Sequence, residues 1–155
     1  MRSTIPNSTE ACQWAQPLTP TILLVEDESA VREVTREALE MGGYCVLEAN
    51  GPEEAAHIAK EPSTQIDLLL TDVVMPGMSG PDLARQMRTL RPGLVTVFMS
   101  GYAECEVLRA AAHGALRDHI QKPFTVSGLL ARVAQALATR WNARHGNRTP
   151  QSPSP

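Results

Sequence analysis

Residues 68–80 read LLLTDVVMPGMSG: an apolar run passes through Thr71 straight into a carboxylate, Asp72, and the next residue, Pro81, can open a helix. Taken from residue 66 to residue 70, the run has the length and the flanks of a buried strand. A stripe of Leu83, Ala84 and Met87 at helical spacing follows it. This unit of strand, charged end and helix sets the pattern for the rest of the chain.

Toward the N-terminus, residues 22–25 form an apolar run ending at Glu26 and Asp27. Ser29 can then cap a helix with Val31, Val34, Ala38 and Met41 on one face, which Gly42 and Gly43 stop. Residues 44–47 read as a further strand, and Pro52 opens a helix through Ala55, Ala56 and Ile58. Toward the C-terminus, residues 94–99 run into Ser100, a helix is expected over 104–113 and Gly114 ends it. A weaker strand over 116–121 runs into Lys122, and from Thr125 a last helix places Val126, Leu129, Leu130, Val133 and Leu137 along one stripe.

Five strands alternating with five helices predict an α/β fold, a doubly wound five-stranded parallel sheet with right-handed crossovers and helices on both faces. With 155 residues the chain supports one core and not two. The segments 1–20 and 141–155 are rich in Pro, Ser, Thr, Asn and Gln and are expected to be disordered tails around a domain over 21–140.

The net charge of -3, without any Lys/Arg run, excludes an electrostatic footprint for nucleic acid or for an anionic membrane surface. No N-terminal apolar segment and no stretch of about 18 apolar residues is present, so a cytoplasmic protein is expected. Cys12, Cys45 and Cys105 lack metal-ligand spacing and read as reduced thiols.

In a parallel sheet, the residues that follow each strand gather at one edge, where open α/β sheets bind ligands. Here that edge collects Glu26, Asp27, Asp72, Ser100 and Lys122. Taken singly, each is equally an ordinary strand end, helix cap or surface lysine; their joint position makes a site. Three carboxylates together repel one another unless a cation compensates, and magnesium, with its oxygen ligands and retained waters, suits such a pocket. A central carboxylate can then attack phosphorus to give an acyl phosphate, while the ammonium and hydroxyl hold the phosphoryl oxygens.

The segments ILLVEDE, LLLTDVVMPGMSG, VTVFMSGYAE and IQKPF resemble the signature segments of response-regulator receiver domains, particularly those of hybrid histidine kinases. The resemblance covers residues 21–140, with the four motifs in the family's order. It implies a flavodoxin-like sheet of strand order 2-1-3-4-5, with Asp72 as phosphoacceptor. Asp27 becomes a direct Mg2+ ligand, Glu26 its companion acting largely through water, and the Val74 backbone carbonyl a third ligand. Ser100 takes the switch hydroxyl position, Lys122 pairs with phosphate, and the Lys122-Pro123 bond is expected to be cis. Gly77 and Gly80 fit a tight loop with positive φ beside the site.

One position departs from the family, which usually has Tyr or Phe three residues before the lysine where this chain has His119. Beside Ser100, His119 is the second candidate switch residue, an imidazole that titrates near neutrality, and its plainer reading is a partly exposed polar substitution on an edge strand. The implied function is a phosphorelay receiver that takes a phosphoryl group from a histidine kinase or histidine phosphotransfer domain and switches contacts with a downstream protein, as a monomer or weak homodimer. It is not a turnover enzyme. A magnesium-dependent phosphohydrolase of the haloacid-dehalogenase type would need a second Asp two residues after the nucleophile, where Val74 stands. A phosphorylation-independent interaction module is the third reading, disfavoured by the intact acidic pocket. Met1 and the absence of room for an output domain after residue 140 lead to the expectation of a free-standing protein.

Overall fold

Strand β1 (Thr21–Val25) is buried along its whole length, with β2 (Cys45–Ala49) and β3 (Leu68–Asp72) paired parallel on its two sides. Strands β4 (Val95–Ser100) and β5 (His119–Gln121) continue the sheet in the order β2-β1-β3-β4-β5, the expected arrangement. The computed structural model describes residues 19–101 and 118–145.

Among the described residues there are four helices: α1 (Ser29–Met41), α2 (Pro52–Lys60), α3 (Gly80–Leu90) and α4 (Val126–His145). The helix expected over 104–113 lies outside them, as do the tails 1–18 and 146–155. Helix α4 continues to His145, so residues 141–145 belong to a helix and not to the expected tail. None of the described helices is long and apolar enough to cross a membrane.

The alternation of side chains along the strands divides the core in two. Leu23, Val25, Leu69 and Phe98 pack with Ala55 and Ala59 of α2 and Leu83 and Met87 of α3. Ile22, Leu24, Leu70, Met99 and Ile120 pack on the other face with Ala38 and Leu39 of α1 and Leu129 and Val133 of α4. Because the sheet is covered on both faces, the central strands read as continuous apolar runs.

Several local expectations shift. Helix α1 turns Thr35, Ala38 and Leu39 inward, leaving Val34 and Met41 exposed, so the face expected from its apolar residues is rotated. Thr35 tolerates burial because its hydroxyl donates to the Val31 carbonyl. Ser29 is the first helical residue and Glu28 the cap, without a side-chain bond; a side-chain cap stands instead at α3, where Ser79 accepts from the Asp82 N–H. Both Asp72 and Ser100 close their strands from within, two residues and one residue past the ends of the expected apolar runs.

At the opposite end of the sheet, Arg140 of α4 donates to the Asp67 carbonyl and carboxylate at 2.7 and 2.9 Å, and the same carboxylate accepts from the Thr21 N–H at 2.8 Å. This network ties α4 to the starts of β1 and β3. Cys45 is disulfide-bonded, which corrects the expectation of reduced thiols; Cys12 and Cys105 lie outside the described residues. Spacing along the chain does not reveal which segments meet.

Candidate phosphoryl and metal site

Glu26 follows β1 directly, and its N–H donates to the Ala49 carbonyl of β2 at 3.2 Å, so the ladder carries the carboxylate inside. It is 1% exposed, whereas the adjacent Asp27 is on the surface. One oxygen of Glu26 accepts from the Glu28 N–H at 3.1 Å; the other accepts from the Lys122 ammonium at 2.8 Å. Asp72 is 7% exposed, its Oδ1 accepts from the Val73 N–H at 3.0 Å, and its Oδ2 lies 3.3 Å from Lys122 Nζ.

Lys122 is placed by the sheet as well. Its N–H donates to the Ser100 carbonyl at 2.8 Å, extending the β4–β5 ladder by one bond, and the Lys122-Pro123 peptide is cis, as expected. By strand alternation, Glu26, Asp72 and Lys122 follow Leu24, Leu70 and Ile120 and share one face of the sheet edge.

Burial raises the pKa of Glu26, opposed by its bonds to Lys122 and the Glu28 N–H and assisted by the charge of Asp72. For Lys122, burial works against the charged form, but the bond to Glu26 and the charges of Glu26 and Asp72 outweigh it. The ammonium is therefore held above its ordinary range. Oxygens of Glu26, Asp27 and Asp72 all lie within 4.8 Å of one another. Such a set of hard oxygen donors, with one of the acids already disfavoured as an anion, fits a divalent cation such as Mg2+.

In the loop after β3, Val74 is exposed and Met75 is buried, its sulfur 3.9 Å from the Thr71 hydroxyl. Gly77 has the expected positive φ of 87°, but Gly80 does not; Gly80 is needed for a close approach. A Cβ there would come within 2.2 Å of the Asp72 carbonyl oxygen, and the Gly80 N–H donates to the Val73 carbonyl at 2.8 Å. Ser100 is fully buried on β4 and its hydroxyl hydrogen-bonds His119 Nε2. Burial, followed by the charge of Arg132, lowers the His119 pKa, so the neutral imidazole is favoured.

The chain pattern did not single out Arg32. Its guanidinium donates to the Glu26 carbonyl at 2.8 Å and lies 3.6 Å from Glu48, bracing the turn that presents the acids. A basic residue one turn into the helix after an acidic strand end is the signal that was there to read. A cleft of about 680 Å³ between α2 and the loop at Pro76–Met78 contains none of the expected site residues.

A family model described as the response regulator receiver domain matches residues 22–134. The sensor kinase CckA of Brucella abortus is 41% identical over 117 residues, covering 76% of this chain but 12% of the kinase. The phosphate regulon transcriptional regulatory protein PhoB of Pseudomonas aeruginosa is 34% identical over 119 residues, 76% of this chain and 51% of that protein. This chain thus spans only a part of the curated relatives it matches. Among solved structures, the receiver domain of the hybrid histidine kinase CckA superposes with a TM-score of 0.63 at 38% identity, covering 76% of this chain and 98% of that one. A two-component transcriptional regulator from Clostridium phytofermentans superposes at 0.72 with 29% identity, covering 82% and 99%.

Proposed function

The chain belongs to the response regulator receiver domain family of two-component signalling, and from that premise we propose that Asp72 accepts a phosphoryl group from a phosphohistidine on a kinase or phosphotransfer domain. The observation that carries this reading is the gathering of Glu26, Asp27, Asp72 and Lys122 at the carboxyl edge of the sheet.

In the proposed transfer, an Asp72 oxygen attacks phosphorus, an O–P bond forms, the P–N bond to the donor imidazole breaks, and that imidazole leaves as the neutral ring after taking up a proton. Lys122 turns its ammonium from Glu26 toward the incoming phosphoryl oxygens, and Ser100 donates its hydroxyl to another. Asp27, Asp72 and the Val74 carbonyl would hold Mg2+, with Glu26 acting through water, and the ion would supply positive charge against the phosphoryl oxygens. The acyl phosphate then shifts the populations of the surface around Ser100 and β5, and with them contacts to a downstream protein. The chain acts as substrate and partial catalyst of its own modification, without turnover.

Intact-mass spectrometry after incubation with acetyl phosphate tests the reading. One phosphoryl group should be gained with Mg2+, lost with chelator, and absent in Asp72→Asn. No gain by wild type under any condition overturns it.

A further inference from the structure

Along β4, Val97 and Met99 belong to the core under α1 and α4, whereas Phe98 belongs to the core under α2 and α3. Alternation therefore assigns Ser100 to the Phe98 face. His119 is the register partner of Phe98 across the β4–β5 ladder and stands on that same face, where its Nε2 hydrogen-bonds the Ser100 hydroxyl. Glu26, Asp72 and Lys122 follow Leu24, Leu70 and Ile120 on the other face. The hydroxyl thus rests on the side of the sheet edge away from the carboxylate that would carry phosphate.

We propose that His119 is a positioning residue that holds the Ser100 hydroxyl off the phosphoryl site, so that it sets how readily the site closes over its anion. The proposal rests on the phosphoacceptor reading of Asp72 and adds the regulation of that site. The bond restricts Ser100 in either imidazole tautomer: an unprotonated Nε2 takes the one hydroxyl hydrogen, and a protonated Nε2 pins the oxygen. Reaching a phosphoryl oxygen requires the hydroxyl to leave the ring. A Phe at position 119 offers no such bond.

Beryllofluoride with saturating Mg2+, a phosphoryl stand-in that needs no donor, is the probe. Its affinity is measured by NMR titration of wild type, His119→Asn and His119→Gln. A Gln amide reaches about as far as Nε2, whereas the shorter Asn amide reaches only to Nδ1, so the two variants keep polarity and differ in the bond. Losing a hydrogen bond of ordinary strength should tighten binding to His119→Asn about fivefold, with His119→Gln within about twofold of wild type. In wild type, the His119 ring nitrogen signals should move when beryllofluoride binds. Equal affinities in all three proteins, or ring signals that do not move, overturn the proposal. Should His119→Asn fail to fold, the wild-type ring signals decide. Wild type that binds no beryllofluoride in an Asp72-dependent way defeats the phosphoacceptor reading itself, and the proposal with it.

Discussion

The Lys122 ammonium lies closer to Glu26, at 2.8 Å, than to Asp72, at 3.3 Å. The base expected to pair with phosphate is thus bonded first to a carboxylate that is almost fully buried. A phosphoryl group on Asp72 would have to draw the ammonium from Glu26, and a cation on the acids would ease that exchange by replacing its charge.

Removing the ammonium strands that buried acid. Lys122→Ala should lower stability at pH 7 by about 2 kcal/mol in chelator, read from denaturant midpoints. Because the folded pKa of Lys122 is raised, its contribution is fully present below the ordinary value of 10.5 and is lost as pH rises through the folded value. The gap between wild type and variant should hold from pH 7 to about pH 9 and close in stronger alkali.

Glu26 contributes with the same sign but in a lower window. Its folded pKa is raised above the ordinary 4.5, so its contribution is complete below 4.5 and is lost as pH rises through the folded value. In chelator, wild type should therefore lose stability relative to Glu26→Gln as pH rises past the ordinary 4.5 and through the raised folded value, and Mg2+ should reverse the trend. Midpoints that run parallel for the two proteins across this range would contradict it.

Mg2+ should stabilise the fold by an amount that grows with the logarithm of its concentration, about 2.7 kcal/mol at about 100 times its dissociation constant. Asp27→Asn, altering an exposed residue, should fold as wild type does in chelator and lose this gain. Thermal unfolding with and without the ion separates the two effects.

Gly80→Ala places a methyl group against the Asp72 carbonyl, with the Val73 Cα 3.1 Å away, and backbone cannot step aside as a side chain can. A loss of about 2 kcal/mol or more is expected, with slower phosphorylation by acetyl phosphate, because the shifted backbone is that of Asp72 itself.

The strands and the acids at their ends were legible because both follow from local rules. A sheet buried on two faces demands apolar runs, and a parallel sheet sends every strand's last residues to one edge. Ile22, Leu24, Leu68 and Leu70, all fully buried, obey the first rule; Glu26, Asp72, Ser100 and Lys122 obey the second. The face of α1 is not legible in the sequence, because Val34 and Met41 are apolar yet exposed while Thr35 is buried, and only the packing against the sheet decides which side turns inward.

By itself, then, the sequence determined the α/β class, the parallel sheet and the set of residues at its carboxyl edge, since periodicity and strand ends are properties of neighbouring residues. Tertiary structure alone decided that Lys122 bonds Glu26 ahead of Asp72, that His119 holds Ser100, that Arg32 braces the acidic turn, that Gly80 is required for close approach, and that Cys45 is disulfide-bonded. Each of these depends on distances between residues far apart in the chain or on the direction of one side chain, and hydrophobic periodicity carries no information about either.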